Sequence, residues 1–123
     1  MDEERVLEVI CEINAFLQRH PWLDFEIMEY RGCKLIVMGS LDTSADHDIE
    51  IEFSDVAFVC TPMTWQTDTS RPPLALVQGD EACRLNERFR VESGHHIFQF
   101  VPEDYPVDFG CIIGARRIGH TIK

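Results

Sequence analysis

The sequence predicts an α+β domain: an N-terminal helix packed on a mainly antiparallel, meander-like sheet of about 6–7 strands. Three observations lead there. Apolar residues recur at spacings of three and four up to Arg19, then at a spacing of two from Asp24 onward. The later apolar stretches are strand-length and punctuated by Gly, Pro, Ser and Asp. At 123 residues, with 45% hydrophobic and 27% charged side chains, the chain suits a single domain, 1–123, with one core.

Residues 3 to 19 carry the helix. Val6, Val9, Ile10, Ile13 and Leu17 form one stripe, widened by Leu7 and Phe16. Asp2, Glu3 and Glu4 sit where the macrodipole favours anions and Arg19 where it favours cations. Pro21 ends the element, and Trp22 behind it is read as the residue that locks helix to sheet.

In the first strand Phe25 and Ile27 alternate with Asp24, Glu26 and Met28, and Glu29 falls in the apolar phase. Arg31-Gly32 reads as a hairpin turn into Lys34 to Met38, and Gly39 to Asp46 as a polar loop. Ile49, Ile51 and Phe53 alternate with Asp48, Glu50 and Glu52, the clearest strand pattern in the chain. Ser54-Asp55 is read as a tight turn before a fourth strand, Val56 to Cys60, apolar on both faces and therefore central.

Pro62 to Pro73 is read as a loop and Leu74 to Val77 as a short strand. Gly79 to Asn86 fits a helical turn or a wide loop. Phe89 to Val91 and His96 to Val101 read as paired strands around Ser93-Gly94, and Val107 to Ile118 contains a last strand interrupted by Gly110 and Gly114.

Charge is the distinctive feature. With 11 Lys+Arg against 22 Asp+Glu, the net charge is −11. Residues 1 to 60 hold 14 acids and 4 bases, a net of −10, and residues 61 to 123 hold 8 and 7, a net of −1. Such a field repels phosphate backbones and anionic lipid, so neither nucleic acid nor a membrane surface is an expected partner. Six carboxylates lie between Asp42 and Asp55. They read as a solvated face, as a docking surface for a basic protein, or as oxygen donors for a metal. The basic C-terminal residues Arg116, Arg117 and Lys123 are placed to neutralise part of that face, or its counterpart in a homodimer.

Chemistry-bearing motifs are sparse. A calcium loop starting at Asp42 fails, because His47 stands where glycine is required and Phe53 where the terminal Glu is required. Neither GxGxxG, a P-loop nor a GxSxG elbow occurs, so no cofactor is expected. The five cysteines, at 11, 33, 60, 83 and 111, contain no CxxC and are mostly read as small buried hydrophobes in a reducing cytoplasm. The N-terminus, MDEERVLEVI, lacks the basic and apolar regions of a signal peptide. Of His95 and His96, one is expected to face solvent and the other to be half-buried. Glu29, between Met28 and Tyr30, is the one early acid in an apolar phase. Trp65 either caps the core beneath its loop or serves as an exposed binding anchor.

The stretch IEIEFSDVAFVCTPMTW, Ile49 to Trp65, resembles small uncharacterised bacterial proteins, some of them grouped with immunity proteins of polymorphic toxin systems. The resemblance implies an intracellular binder that neutralises a partner, and it specifies no catalytic residue. With the charge pattern, the expectation is an acidic protein-binding domain using Asp46, Asp48, Glu50, Glu52 and Trp65 toward a basic protein. The alternative is a small hydrolase, either metal-assisted through His47 with Asp46 or Asp48, or built on a Cys–His pair.

Overall fold

A computed structural model describes residues 1–20, 23–41, 48–67, 71–103, 105–106 and 109–123. The order along the chain is α1 (Glu3–Arg19), β1 (Asp24–Arg31), β2 (Lys34–Ser40), β3 (Ile49–Cys60), β4 (Thr64–Gln66), β5 (Leu74–Val77), α2 (Gly79–Phe89), β6 (His96–Phe100) and β7 (Ile112–Ile122). The strands form one seven-stranded antiparallel sheet in the order β4-β1-β2-β3-β7-β6-β5. The predicted class therefore holds, with a second helix added. No helix among the described residues is long and apolar enough to cross a membrane.

The α1 boundaries follow from its ends. The Asp2 carboxylate accepts the Arg5 backbone N–H at 2.8 Å, and Glu3 and Glu4 occupy the first turn. Its buried face, Val6, Val9, Ile10, Ile13, Phe16 and Leu17, meets Leu35, Val37, Ile49, Ile51, Phe53, Phe98 and Ile113 of the sheet in one core. Five rings thread it: Phe100 lies 5.3 Å from Trp65, 5.5 Å from Phe25 and 6.4 Å from Phe53, which is 5.2 Å from Phe98. Buried among them, Asn14 accepts the Leu74 N–H at 3.0 Å and donates to the Leu74 carbonyl at 2.7 Å. Its amide does for edge strand β5 what a further strand would do. The sheet curls until the chain past β4 meets the chain past β6, with Thr67 bridging Pro102 and the Glu103 N–H donating to the Gln66 carbonyl at 2.9 Å.

Several local expectations are corrected. The β1–β2 turn consists of Gly32 and Cys33, one residue later than read, both with positive φ (59° and 64°) as a two-residue type I′ turn requires. Ser54-Asp55 is no turn. Strand β3 runs unbroken to Cys60 through Asp55 at φ 54°, and its register with β7 slips between Val56 and Phe58. The meander is therefore β1-β2-β3, and the expected fourth strand is the end of β3. β4 arises inside the expected Pro62–Pro73 loop because Asp24–Glu26 offers it an edge. The ambiguous 79–86 stretch is helical and continues to Phe89, and Arg90 ends it at φ 53°, so no strand starts at Phe89.

The β3 slip gives α2 its place. Val56 packs toward the core, whereas Phe58 emerges on the opposite side, over Gly114. There it stacks on Phe89 of α2, with centroids 4.4 Å apart and planes 6° apart. No residue of α2 is fully buried, and its half-buried positions, Ala82, Leu85, Asn86 and Phe89, follow helical spacing.

Candidate functional site

One part of the sheet carries the acidic array on the face turned away from α1. Phe25, Val37 and Ile51 are fully buried, so their neighbours along each strand project outward. Cross-strand register then lines up Glu26, Met38, Glu50 and Thr121 in one row and Glu29, Ile36, Glu52 and Gly119 in the next. A third row, Arg31, Lys34, Ser54 and Arg117, is basic. The result is a short apolar strip, Ile36 and Met38, flanked by two carboxylates on β1 and two on β3. Two strand spacings separate the flanks, roughly 10 Å.

Glu29 belongs to this face for a reason that alternation alone conceals. The β1 register slips between Ile27 and Glu29, so Met28 is an extra residue and Glu29 leaves the apolar phase. The early acid that breaks an apolar phase is thereby accounted for without a buried carboxylate. It is exposed.

The expected site residues divide. Asp46, like Asp42 and His47, lies outside the described residues, as does Trp22. Asp48 closes the β2–β3 connection: its Oδ2 accepts the Leu41 N–H at 2.8 Å, and its carbonyl accepts the Lys123 N–H at 2.9 Å. Glu52 lies 3.2 Å from Lys34 Nζ, Glu50 lies 3.9 Å from Lys123 Nζ, and Asp55 lies 2.6 Å from the Arg117 guanidinium. The C-terminal cations reach the acidic strand because β7 runs antiparallel beside β3. Such exposed pairs hold position while contributing only about 0.2–1 kcal/mol each. Glu26 and Glu29 make no ion pair among the described residues, so the uncompensated carboxylates of this face are on β1. The sequence places both on the first hairpin and singles out Glu29, but leaves them outside the expected binding set, because only the strand order sets them opposite Glu50 and Glu52.

Trp65 must be removed from the binding set. It is 4% exposed, stacked on Phe25 at 5.8 Å, and held there because β4 pairs Trp65 with Phe25 across the edge. It caps the core, and the neighbouring Met63, 67% exposed, is the large side chain that reaches solvent from this segment.

Three concavities are relevant. One of about 330 Å³ lies on the acidic face at the hairpin end, lined by Glu29, Arg31, Gly32, Lys34 and Ile36. A second, about 320 Å³, runs beside α2 and includes Cys60, Leu85, Arg88, Phe89, Phe109 and Ile112. The third, about 440 Å³, brings Cys83, Asn86, His95 and His96 together. Both histidines are half-buried there, contrary to the expectation of one facing solvent, because His95 precedes the strand that His96 begins. His95 Nδ1 donates to the Glu92 carbonyl at 3.1 Å and His96 Nε2 to the Met1 carbonyl at 2.9 Å. A carbonyl only accepts, so His95 Nδ1 and His96 Nε2 carry hydrogen, and His95 Nε2 and His96 Nδ1 are the ring nitrogens not engaged in these bonds. Among the described residues no group of three or more His, Cys, Asp or Glu could hold a metal ion.

The cysteines also depart from expectation. Cys11, Cys33, Cys60 and Cys83 are exposed, and Cys111 alone is buried. Burial, reinforced by the nearby Cys60, pushes the Cys111 thiol from 9.0 up to about 12. A thiol reagent is therefore expected to titrate four groups in the native protein and the fifth only on unfolding, as a stoichiometric labelling assay would show. The same burial makes stability fall with alkali. Above pH 9.0 the unfolded chain loses a proton that the folded chain keeps until about pH 12, which favours unfolding across that window. Cys111→Ala should flatten this dependence in denaturation curves taken across the same pH range.

No protein-family model, curated protein or solved structure matches this chain.

Proposed function

We propose that the chain is a non-enzymatic, acidic protein-binding domain that docks the outer face of β1–β3 on a basic protein, in the manner of an intracellular bacterial immunity-type inhibitor. The observation that carries this reading is the frame of Glu26, Glu29, Glu50 and Glu52 around Ile36 and Met38. An apolar strip supplies area to bury, and carboxylates on strands whose backbone is already fixed steer a cationic surface toward it. The β1 pair attracts, whereas the β3 pair is tethered by Lys34 and Lys123, cations that an incoming Arg or Lys would displace.

The test is retention of a partner from native lysate at low salt. Wild-type protein is expected to retain a basic protein, and Glu26→Lys with Glu29→Lys to slow its association by roughly 10-fold or more and reduce its salt dependence. Reversal at Glu50 and Glu52 should act in the same direction but less strongly, because those carboxylates already have cations. Unchanged association after reversal at all four positions would end the docking reading.

A second reading, a cysteine hydrolase, is favoured by one observation: Cys83 lines the same concavity as His95 and His96. No hydrogen bond joins Cys83 to either ring among the described residues, which is why this reading stands second. The labelling assay separates the two. A nucleophilic Cys83 would alkylate at neutral pH far faster than Cys11, Cys33 and Cys60, whereas four similar rates would remove the hydrolase.

A further inference from the structure

Strand β1 outruns its outer neighbour. β4 pairs only with Asp24–Glu26, and the Ile27 N–H donates to the Met63 carbonyl at 3.0 Å, the last backbone bond on that side among the described residues. From Met28 to Arg31 the strand is paired through β2 alone among the described residues. A bare strand edge is a template for another strand unless charge, proline or a covering segment blunts it. This one is flanked by apolar side chains: Met28 is 49% exposed, Tyr30 54% and Met63 67%. Its two charges, Glu29 and Arg31, are exposed, of opposite sign and without an ion pair among the described residues.

We infer that this edge pairs with the same edge of a second copy, joining two sheets about a two-fold axis through Tyr30. The register follows from charge. Antiparallel self-pairing that keeps the faces of both sheets aligned can centre on residue 29, 30 or 31. Centring on Glu29 sets Glu29 against Glu29, and centring on Arg31 sets Arg31 against Arg31, both repulsive. Centring on Tyr30 sets each Glu29 against the other copy's Arg31 and brings the two Tyr30 side chains together. Met28 then faces the other copy's Gly32, where a side chain would meet nothing within 4 Å, and each hairpin turn comes to rest beside Met63. The bare stretch of one copy thus matches that of the other in length, polarity and charge. This assembly shares only Glu29 with the docking reading and leaves Glu26, Ile36, Met38, Glu50 and Glu52 uncovered on the sheet face, so self-association and partner capture are read separately, with Glu26→Lys alone testing docking.

The interface is small, of the class burying less than about 1,200 Å² in total, so a weak and reversible dimer is expected. Sedimentation up to about 1 mM protein at physiological ionic strength reads it. The Debye length of about 8 Å then largely screens the net charges of the two copies and leaves the contacting pairs in force. The wild-type chain is expected to shift from monomer to dimer with concentration. Glu29→Arg and Arg31→Glu should each raise the dissociation constant at least about tenfold, because each opposes like charges. The double variant, Glu29→Arg with Arg31→Glu, restores opposite charges in the same register and should dimerise again. A wild-type chain that stays monomeric, or a folded double variant that does not recover, overturns the inference. Amide chemical shifts of the unmodified protein give a reading without substitution. Concentration-dependent changes should gather at residues 28–32 and Met63, and changes confined to other strands would refute it.

Discussion

Phe100→Ala is expected to lower stability by about 3–5 kcal/mol, the range for emptying a fully buried aromatic position. The ring is 1% exposed and touches Phe25 of β1, Phe53 of β3 and Trp65 of β4 from its own place on β6. None of these strands is a sheet neighbour of β6: β4 is one end of the order and β6 lies next to the other, and the curl of the sheet brings them together. Removing the ring therefore opens a cavity at the point where the curled sheet closes on itself, and three neighbouring rings cannot all collapse into it. Set against the 5–15 kcal/mol typical of a whole domain, this is a large fraction. Urea denaturation should show a lower midpoint with an unchanged slope. A loss below about 1 kcal/mol would mean that the ring cluster carries little of the closure.

Asn14→Leu is expected to cost about 2–6 kcal/mol although it replaces a buried polar residue with an apolar one of similar size. Asn14 satisfies both the N–H and the carbonyl of Leu74, at 3.0 and 2.7 Å. Leucine would leave both backbone groups buried and unpaired, at about 1–3 kcal/mol each. Asn14→Asp separates this account from simple packing. Its carboxylate can still accept the Leu74 N–H but, when ionised, cannot donate to the carbonyl, so the variant should recover stability as pH falls and the carboxyl gains a proton. Equal stability of the Leu variant and wild type in thermal unfolding would show that water replaces the amide.

The contrast between these two residues shows what was legible in the sequence. The stripe from Val6 to Leu17 and the alternation from Asp48 to Phe53 each repeat a period several times, and both elements form where read. Asn14 sat one residue beside the stripe and carried no signal, because its role depends on a strand sixty residues away. Helix α2 was ambiguous for a local reason: Gln78 gives no side-chain cap, and no α2 position is fully buried. β4 was invisible because three residues in a proline-rich stretch become a strand only when β1 offers an edge. For the candidate site, the polarity of Glu50 and Glu52 was readable. What neutralises them was partly foreseeable in the basic C-terminus, but that Glu26 and Glu29 complete the frame follows from register, which a bulge at Met28 disguises.

The irregularity between Val56 and Phe58 has a further consequence, for the chain lengths the fold can accept. Because strand side chains alternate, one extra residue acts as a phase inverter. Before it, β3 serves the layer containing α1, and after it the same strand serves the layer containing α2. Deleting Ala57 would leave composition and hydropathy nearly untouched yet exchange the destinations of Val56 or Phe58, stripping one layer of its contact. Removing a pair of residues would preserve the parity but shorten the wall. In this part of the molecule the fold is thus encoded in odd and even counts, and a frame-preserving insertion or deletion of a single codon is a more severe change than most substitutions of the same side chains.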